Sequence, residues 1–292
     1  MGLLKVLFLA ARPKTLPASL SPVLLGLTYA YTFQESLNWP IAIITIVCSL
    51  LLQISSNFIN DYLDFKSGVD KGDRLGPMRV TSAGLISPNQ MKQAIIVTMT
   101  MAFILGLSLM NWGGLPIVII GLSSLLGAYL YTGGPFPLSH LALGEVAAFI
   151  FFGPVAVWGT FFLQTHQYVW SPIWVGCIPG LFSAAIMSIN NLRDRENDKH
   201  NGKTTVMTLL SERSARSLSA TLIISPIFAM LILSILYNRA FALGFIALIK
   251  VRPNMMFILQ EKIDARLNMC LETTGKFLFI STLAICLGLL FL

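Results

Sequence analysis

The sequence predicts an all-α fold, a polytopic bundle of membrane-spanning helices that forms one domain over residues 1–292. Of its residues 55% are hydrophobic and only 11% are charged, whereas soluble domains carry about 25% charged residues. The mean hydropathy of +0.75 describes the whole chain, so the apolar character does not come from one buried helix. Backbone groups in lipid must bond internally, and repeated long apolar segments therefore indicate helices.

About nine apolar segments are candidates for membrane helices. A helix that spans a bilayer needs roughly 20 mostly apolar residues, and the alternating ten-residue pattern typical of membrane β-barrels is absent. The segments are 17–34, 40–60, 92–111, 114–131, 141–163, 172–191, 217–237, 240–250 and 277–292. The eighth segment, 240–250, is the shortest.

The basic residues predict the orientation of these segments. With nine spans and the N-terminus inside, 19 of the 20 Lys and Arg residues lie on the cytoplasmic side, as the positive-inside rule favours. We therefore expect a multi-pass protein of the plasma (inner) membrane whose N-terminus and two acidic loops are cytoplasmic. If 240–250 does not span, only the 250–276 segment and the C-terminus change sides. The net charge of +7 then reflects cytoplasmic loops and an anionic substrate, and no nucleic-acid partner is expected.

Acidic residues are concentrated in two short segments, 57–74 and 190–204, each at the cytoplasmic end of an apolar helix. In the first, Asn57, Asp61 and Asp64 are spaced by four and three residues, which places them on one helical face. In the second, a spacing of four creates a similar face; its members are Asn190, Asp194 and Asp198. Asn57 and Asp61 lie 133 residues before Asn190 and Asp194, which suggests a parallel repeat of a four-helix unit.

Both faces carry the donor atoms of a hard-cation site. Stacked carboxylates repel each other, and a bound cation removes that cost. Oxygen ligands without His or Cys favour Mg²⁺ or Ca²⁺, and Mg²⁺ usually binds one or two carboxylates together with substrate phosphates. The predicted metal ligands are Asn57, Asp61, Asp64, Asn190, Asp194 and Asp198, with Asp70 as a weaker addition. The predicted catalytic residues are Asp61, Asp64, Asp194 and Asp198.

Basic residues alternate with these acids, and this pattern predicts a clamp for a diphosphate. The expected reaction is loss of diphosphate from an allylic carbon, with metal and cations stabilising the leaving group. Tyr131 is a candidate, by its position in the chain, for an aromatic face that stabilises an allylic cation. The residues expected to contact phosphate oxygens are Lys71, Arg74, Arg79 and Lys203.

The competing interpretation is that these acids and bases are solvated loop charges at helix ends. Two matching N-x-x-x-D faces argue against it, because carboxylates in membrane segments are usually functional. For Asp70 the interpretations as a site residue and as a loop residue are evenly balanced.

At these residues the chain resembles the UbiA superfamily of membrane prenyltransferases, and within it the branch that prenylates 1,4-dihydroxy-2-naphthoate in menaquinone synthesis. The likeness extends over about residues 12–210. The stretches that carry it are RPKTLP (12–17), NDYLD (60–64) with DRLGP (73–77) and Arg79, YTGGP (131–135) with LGE (143–145), and NNLRD (190–194) with GKT (202–204). The two Asp motifs indicate the superfamily, whereas RPKT and NNLRD with GKT indicate the naphthoate branch.

The resemblance implies a helical bundle with a central cavity open to lipid, where two Mg²⁺ ions bridge the Asp motifs and a polyprenyl diphosphate. It implies that a ring carbon of the naphthoate attacks the allylic cation and that the carboxyl group leaves as CO₂, giving demethylmenaquinone. Arg12 and Lys14 are then expected to meet the acceptor carboxylate. Many members space their first motif as N-x-x-x-D-x-x-x-D, whereas residue 65 is Phe here. Whether Asp64 or Asp70 completes the first metal site is left open.

Other functions are compatible with parts of this pattern. Within the superfamily, the acceptor is alternatively 4-hydroxybenzoate, homogentisate or haem. An ion-coupled secondary transporter also has many helices and buried charges, but it more often shows inverted repeats and charges near the bilayer midplane. A phospholipid-head-group transferase carries a D-G-x-x-A-R signature, which this sequence lacks. A scaffold protein has no activity that Asp61 or Asp194 would support.

Overall fold

The chain folds into helices joined by short loops. The computed structural model describes residues 2–68, 75–135 and 137–292, and of residues 248–250 only the backbone. These residues form no strand, and one isolated bridge joins Leu141 to Thr204. The all-α class predicted from the sequence is confirmed.

The α-helices are numbered in chain order. They are α1 (Leu3–Ala10), α2 (Leu16–Gln34), α3 (Trp39–Ser67), α4 (Pro88–Leu130), α5 (Gly144–Thr165), α6 (Ser171–Arg193), α7 (Arg195–His200), α8 (Val206–Leu209), α9 (Glu212–Leu236), α10 (Val251–Gln260) and α11 (Leu267–Phe291). Within α5, Phe151–Val155 forms a π-helical turn, and the 3₁₀ segment Arg239–Lys250 leads into α10.

Local side-chain chemistry sets the limits of α3. Asn38 accepts a hydrogen bond from the Ile41 amide at 3.2 Å and so satisfies a donor that the first helical turn leaves without a partner. At the other end, Gly68 has φ 70°, a conformation that glycine adopts without steric cost. The helix therefore extends beyond the predicted apolar segment 40–60, and the whole first acidic face lies on its last turns.

Helix α4 is too long to be one membrane crossing. Its 43 residues span on the order of 65 Å, about twice the hydrocarbon core of a bilayer. Gly114 interrupts it with φ 64° and ψ −154°. A Cβ on Gly121 would lie 2.5 Å from the Met110 methyl group, although a straight helix would hold these residues about 16 Å apart. The chain therefore bends back sharply at Gly114, the first residue of the predicted segment 114–131.

The expected count of nine membrane helices is not confirmed. Among the described residues, six helices are long and apolar enough to cross a bilayer. A seventh is obtained if Arg239–Ala247 and Val251–Gln260, which meet at an angle of 56°, form one broken span. Nine is reached only if α2 and both halves of α4 are counted as crossings.

The last helix also differs from its prediction. Helix α11 begins at Leu267, whereas the apolar segment was expected to begin at 277. Its first turns carry Asn268, Glu272 and Lys276, whose polar side chains lower the local hydropathy. This polar start of α11 borders the functional cavity described below.

The core lies between α2, α6, α9 and α11. Phe182, Met230 and Leu278, from α6, α9 and α11, are 0% exposed and belong to one buried cluster. Helices α5 and α6 approach closely at glycines, since a Cβ on Gly153 would lie 2.6 Å from the Gly176 carbonyl oxygen. Small residues let membrane helices pack backbone to backbone. This packing fixes α5 beside the helix that carries the second acidic segment.

The outer faces of the long helices are apolar. Only 22% of the most apolar part of α4 is buried inside the molecule. Large exposed side chains on several helices include Ile104, Leu126, Ile235 and Leu287. In water a surface of this extent would promote association, whereas in a bilayer apolar side chains face lipid.

Candidate active site

A cavity of about 1550 Å³ lies between the helices. Its walls come from α2 to α6, and the start of α11 contributes at one end. Both Cys48 and Asp64 of α3 line it, so it extends on the order of 24 Å along this helix. Its lining near Cys48 is apolar and includes Leu109 and Leu163, whereas Asp64 belongs to a polar end.

The first acidic segment presents Asn57, Asn60 and Asp64 to the cavity. Their spacing of three and four residues puts them on one face of α3. Asn57 is 4% exposed, and its Nδ2 donates to the Ala11 carbonyl oxygen at 2.9 Å and to Thr15 Oγ1 at 3.1 Å. Asn57 therefore ties the N-terminal segment to α3, while Asp64 brings a negative charge to the cavity surface.

Asp61 does not line the cavity and is 2% exposed. Its Oδ2 accepts a hydrogen bond from the Val80 amide at 2.9 Å, and its Oδ1 accepts one from the Thr81 amide at 3.0 Å. These bonds hold the turn that carries Arg79, whose guanidinium pairs with Asp64. The geometry gives Asp61 a positioning role toward Arg79, and the metal-ligand and catalytic roles expected from the sequence stay predictions.

The second acidic segment follows the end of α6. Asp194 joins α6 to the short helix α7 and is itself outside both. The Asp194 amide donates to the Asn190 carbonyl oxygen at 3.1 Å, and the Asp198 amide donates to the Asp194 carbonyl oxygen at 2.8 Å. The four-residue spacing therefore persists across the junction, and Asn190, Asp194 and Asp198 all line the cavity. The continuous helix expected for this face is interrupted at Asp194.

Three of the predicted metal ligands are carboxylates that line the cavity, and each of them forms an ion pair with a different basic side chain. The pairs are Asp64 with Arg79, Asp194 with Arg193, and Asp198 with Lys203. All three cations also line the cavity. The charges of these six groups therefore balance.

Asp198 is the most buried of the three carboxylates, at 4% exposure. Burial raises the pKa of Asp198 to about 6, although the nearby Lys203 ammonium acts in the opposite direction. Lys203 Nζ lies 3.3 Å from Asp198 Oδ2, yet that oxygen accepts no hydrogen bond from the described residues. A buried carboxylate oxygen without a hydrogen bond is costly, and a cationic ligand would remove this cost.

Asn191, next to Asn190, also lines the cavity. Its Nδ2 donates to Glu145 Oε1 at 2.9 Å, and Glu145 lies in the first turn of α5 with 8% exposure. The acid of the LGE stretch therefore holds a cavity-lining amide and does not itself line the cavity.

Arg12, Lys14 and Tyr131 border the same cavity. Lys14 Nζ pairs with Glu272 Oε2 of α11 at 2.6 Å, and the Lys14 side chain is 75% exposed. The Tyr131 hydroxyl donates to the Met187 sulfur at 2.9 Å. The roles expected for these residues toward the acceptor and the allylic cation stay predictions.

Three predicted site residues lie outside the described residues: Asp70, Lys71 and Arg74. Their expected roles in metal and diphosphate binding stay predictions, as does the choice between Asp64 and Asp70 for the first metal site. Within the described part of the first segment, Asp64 is the acid that lines the cavity.

Sequence reasoning overlooked Asn60 and Arg193. Asn60 had a local signal, because it precedes Asp64 by four residues, the same spacing that relates Asn57 to Asp61. Arg193 had none, because a basic residue at a helix end is usually solvated, whereas this one is 2% exposed. Its hydrogen bond to Asn268 at 2.7 Å joins distant parts of the chain.

The donor atoms fit a hard divalent cation such as Mg²⁺. Carboxylate and amide oxygens of both segments lie at one end of the cavity, and Asp198 Oδ2 lacks a hydrogen bond. In the part of the chain that the structure describes, no three His, Cys, Asp or Glu side chains come close enough to hold a metal by themselves. Mg²⁺ often needs only one or two carboxylates when substrate phosphates complete its coordination. The site therefore suits a metal that binds together with a phosphate.

The family model described as "UbiA prenyltransferase family" matches residues 19–265, a range that includes both acidic segments. The chain belongs to the UbiA prenyltransferase family. It is therefore a multi-pass membrane enzyme that transfers prenyl groups, and the transporter, head-group transferase and scaffold hypotheses are not retained.

Curated relatives resemble this prenyltransferase over most of its length. It is 31% identical to the 1,4-dihydroxy-2-naphthoate octaprenyltransferase of Escherichia coli (strain K12), with 95% of this chain and 92% of the relative covered. It is 34% identical to the enzyme of the same name from Haemophilus influenzae, with 73% and 71% covered. A solved structure of a UbiA homolog from Archaeoglobus fulgidus bound to GPP and Mg²⁺ matches with a TM-score of 0.67 at 16% identity, covering 97% of this chain and 98% of that one. This last similarity concerns the fold.

Proposed function

We propose that this enzyme transfers a polyprenyl group from polyprenyl diphosphate to 1,4-dihydroxy-2-naphthoate in a Mg²⁺-dependent reaction that releases diphosphate and CO₂ and gives the reduced (quinol) form of demethylmenaquinone. The observation that carries the proposal is one cavity with a charged end and an apolar body, roughly 24 Å long on α3. A polyprenyl diphosphate has the same two parts in the same order. The acceptor is proposed from the curated relatives, five of which are named as naphthoate prenyltransferases.

The charged end suits a diphosphate with its metal because its ion pairs can exchange partners. Arg79 and Lys203 would pair with phosphate oxygens, as guanidinium and ammonium groups commonly do. The carboxylates that they release, Asp64 and Asp198, would face the metal. Asp194 would also face it while keeping its pair with Arg193. Asn60 and Asn190 would add amide oxygens, and Lys71 and Arg74 are proposed to extend the clamp. Two Mg²⁺ ions, when bound, would stabilise the negative charge that develops on the leaving diphosphate.

The partner exchange has a thermodynamic consequence. A cation alone would have to compete with the two basic side chains that can exchange partners, and a diphosphate alone with the two carboxylates to which they are paired. When both bind, each protein group that loses a charged partner gains another. We therefore expect metal and diphosphate to bind more tightly together than either does alone, which is positive cooperativity with a negative coupling free energy.

The reaction requires the allylic carbon and the acceptor ring to meet near the polar end. The bond between the allylic carbon and the diphosphate oxygen breaks, and its electron pair leaves with diphosphate. The ring of Tyr131, which borders the cavity, is proposed to stabilise the allylic cation. The ring carbon that bears the carboxylate supplies the electron pair for the new bond, and the ring regains a pair when the bond to the carboxylate breaks and CO₂ leaves. Arg12 and Lys14 are proposed to hold that carboxylate beforehand.

We further propose that the N-terminus and both acidic segments lie on the cytoplasmic side of the plasma (inner) membrane. The distribution of 19 of 20 Lys and Arg residues supports this orientation, and the apolar outer faces of the long helices would contact lipid. The single domain over 1–292 and the parallel four-helix repeat stay predictions.

The proposal is tested with membranes that contain the protein, a polyprenyl diphosphate and 1,4-dihydroxy-2-naphthoate, with either Mg²⁺ or EDTA. We expect a prenylated product, detected by mass spectrometry, only with Mg²⁺. Asp64→Asn should lower turnover on the order of 10²–10³-fold, the range observed when one group that stabilises developing charge is lost. Asp264→Asn is the matched control, because Asp264 lies in the loop between α10 and α11 outside the cavity.

Three outcomes are informative. Equal turnover with Mg²⁺ and EDTA would contradict the proposed metal chemistry. Product with 4-hydroxybenzoate, homogentisate or haem, and none with the naphthoate, would keep prenyl transfer and change the acceptor. An equal loss of turnover in Asp64→Asn and Asp264→Asn would contradict the assignment of the site.

A further inference from the structure

Arg193 ends α6 with a side chain that is only 2% exposed. A buried charge is costly unless it is paired and hydrogen-bonded. Arg193 satisfies this condition, because all three of its guanidinium nitrogens donate hydrogen bonds to side-chain oxygens. These bonds fix the planar group in one orientation.

Two of the nitrogens hold residues of the second acidic segment. Nε donates to Asp194 Oδ1 at 2.8 Å, and Nη2 donates to Asn190 Oδ1 at 2.9 Å and to Asp194 Oδ2 at 2.5 Å. Amide and carboxylate oxygens each have more than one lone pair. The guanidinium therefore orients Asn190 and Asp194 and leaves them acceptor capacity toward the cavity that they line.

The third nitrogen connects this segment to α11 and, through it, to the loop after the first acidic segment. Nη1 of Arg193 donates to Asn268 Oδ1 at 2.7 Å, and Nδ2 of Asn268 donates to the Leu75 carbonyl oxygen at 2.8 Å. Leu75 directly follows the first acidic segment, 57–74. Two side chains in series therefore join the regions that supply the two halves of the site, and all three residues border the cavity.

We infer that Arg193 and Asn268 form a positioning relay for the metal–diphosphate site, an inference that rests on the proposed function. Arg193 sets the orientation of Asn190 and Asp194, and Asn268 holds the loop at Leu75 in a fixed position relative to them. Groups that orient metal ligands in this way typically contribute 10–100-fold to metal affinity or activity.

The test measures metal binding directly, without any prenyl substrate. Purified protein in detergent is titrated with Mn²⁺ in place of Mg²⁺, and free Mn²⁺ is counted by electron paramagnetic resonance. Arg193→Lys keeps the charge but loses the planar fork of donors, and we expect it to weaken Mn²⁺ binding roughly 10–100-fold. Asn268→Leu keeps the size and loses both hydrogen bonds, and we expect a smaller loss. The control Arg216→Lys alters an arginine that donates to the Ile258 and Glu261 carbonyl oxygens away from the cavity.

A double variant separates a relay from two unrelated effects. If the two residues act in series, Arg193→Lys combined with Asn268→Leu binds Mn²⁺ no more weakly than Arg193→Lys alone. Losses that multiply in the double variant would overturn the relay. Unchanged Mn²⁺ affinity in both single variants, with only a lowered melting temperature, would also overturn it, because it would show a purely structural role.

The transfer assay distinguishes failure of the relay from failure of the proposed function. If the wild-type protein transfers prenyl groups and Arg193→Lys binds Mn²⁺ as tightly as the wild type, only the relay is overturned. If Arg193→Lys binds Mn²⁺ more weakly than the wild type and the wild type transfers no prenyl group, the relay is supported and the proposed function is overturned.

Discussion

Replacing Asp61 with asparagine removes one of the two oxygens that hold the turn at Val80 and Thr81. Both amides donate to the Asp61 carboxylate, at 2.9 and 3.0 Å, in a site that is 2% exposed. Asparagine keeps one oxygen and turns an NH₂ group toward the other amide, so one charge-assisted hydrogen bond is lost. Because such a bond contributes about 1.5–3 kcal/mol and a buried unsatisfied amide adds a further cost, we expect this turn to lose roughly 2–4 kcal/mol of stability.

The substitution should reach the substrate through Arg79. A loss of 2–4 kcal/mol lowers the ratio of docked to undocked turn by roughly 30- to 1000-fold, since each 1.4 kcal/mol is a factor of ten. The ion pair of Arg79 with Asp64 remains and reduces the effect. We therefore expect KM for polyprenyl diphosphate to rise on the order of 10–100-fold, while Mn²⁺ affinity stays close to the wild-type value.

The assay compares Asp61→Asn with Asp64→Asn by KM, Mn²⁺ titration and melting temperature. Asp64→Asn removes a carboxylate from the cavity surface and should weaken Mn²⁺ binding directly. Asp264→Asn is the control, because Asp264 also accepts a hydrogen bond from a backbone amide, that of Arg266 at 2.8 Å, but lies outside the cavity. The reasoning is refuted if Asp61→Asn loses Mn²⁺ binding as strongly as Asp64→Asn at an unchanged melting temperature, because Asp61 would then be a ligand.

Metal affinity, donor length and one ion pair give further tests. Because burial raises the pKa of Asp198 to about 6, protons should compete with Mn²⁺ below that pH and weaken its binding by up to about tenfold per pH unit. A Mn²⁺ affinity that does not change between pH 5 and pH 7 would contradict this, and so would a pH dependence that persists in Asp198→Asn. Gly106→Phe should lower rates with long prenyl donors more than with short ones, because a Cβ on this buried, cavity-lining glycine meets open space. The same change in preference in the control Ile104→Phe, on an exposed position of α4, would refute that explanation. Glu272→Gln should change the melting temperature little, because exposed ion pairs such as that with Lys14 contribute about 0–1 kcal/mol; a large fall would show that the pair holds α11 in place.

Hydropathy predicted the membrane helices where apolar residues are continuous and missed the places where helices extend into polar surroundings. Helix α3 continues to Ser67 and α11 begins at Leu267, and both extensions carry polar side chains. An average over a window of residues cannot separate such turns from a loop. These turns are the ones that border the charged end of the cavity, so the boundaries missed by hydropathy matter most for the site.

Helical spacing predicted which residues share the faces of the candidate site, but it could not predict which of them line the cavity. Asn57, Asp64 and Asp198 line the cavity as expected from the two acidic faces. Asp61 is also an aspartate on the first of these faces, yet its carboxylate accepts a hydrogen bond from the Val80 amide and does not line the cavity. That turn is distant in sequence, and its docking depends on tertiary packing. Arg193 is another example, because its burial depends on contacts with a helix near the C-terminus.

The measurement that tests the central claim most directly uses 1,4-dihydroxy-2-naphthoate labelled in its carboxyl carbon. Purified protein is incubated with a polyprenyl diphosphate and Mg²⁺, and labelled CO₂ and prenylated product are counted in the same sample. We predict one CO₂ for each molecule of prenylated product and neither in EDTA. A prenylated product that retains the label would contradict the proposed reaction at the acceptor, and the absence of any product with Mg²⁺ would contradict the proposed substrates.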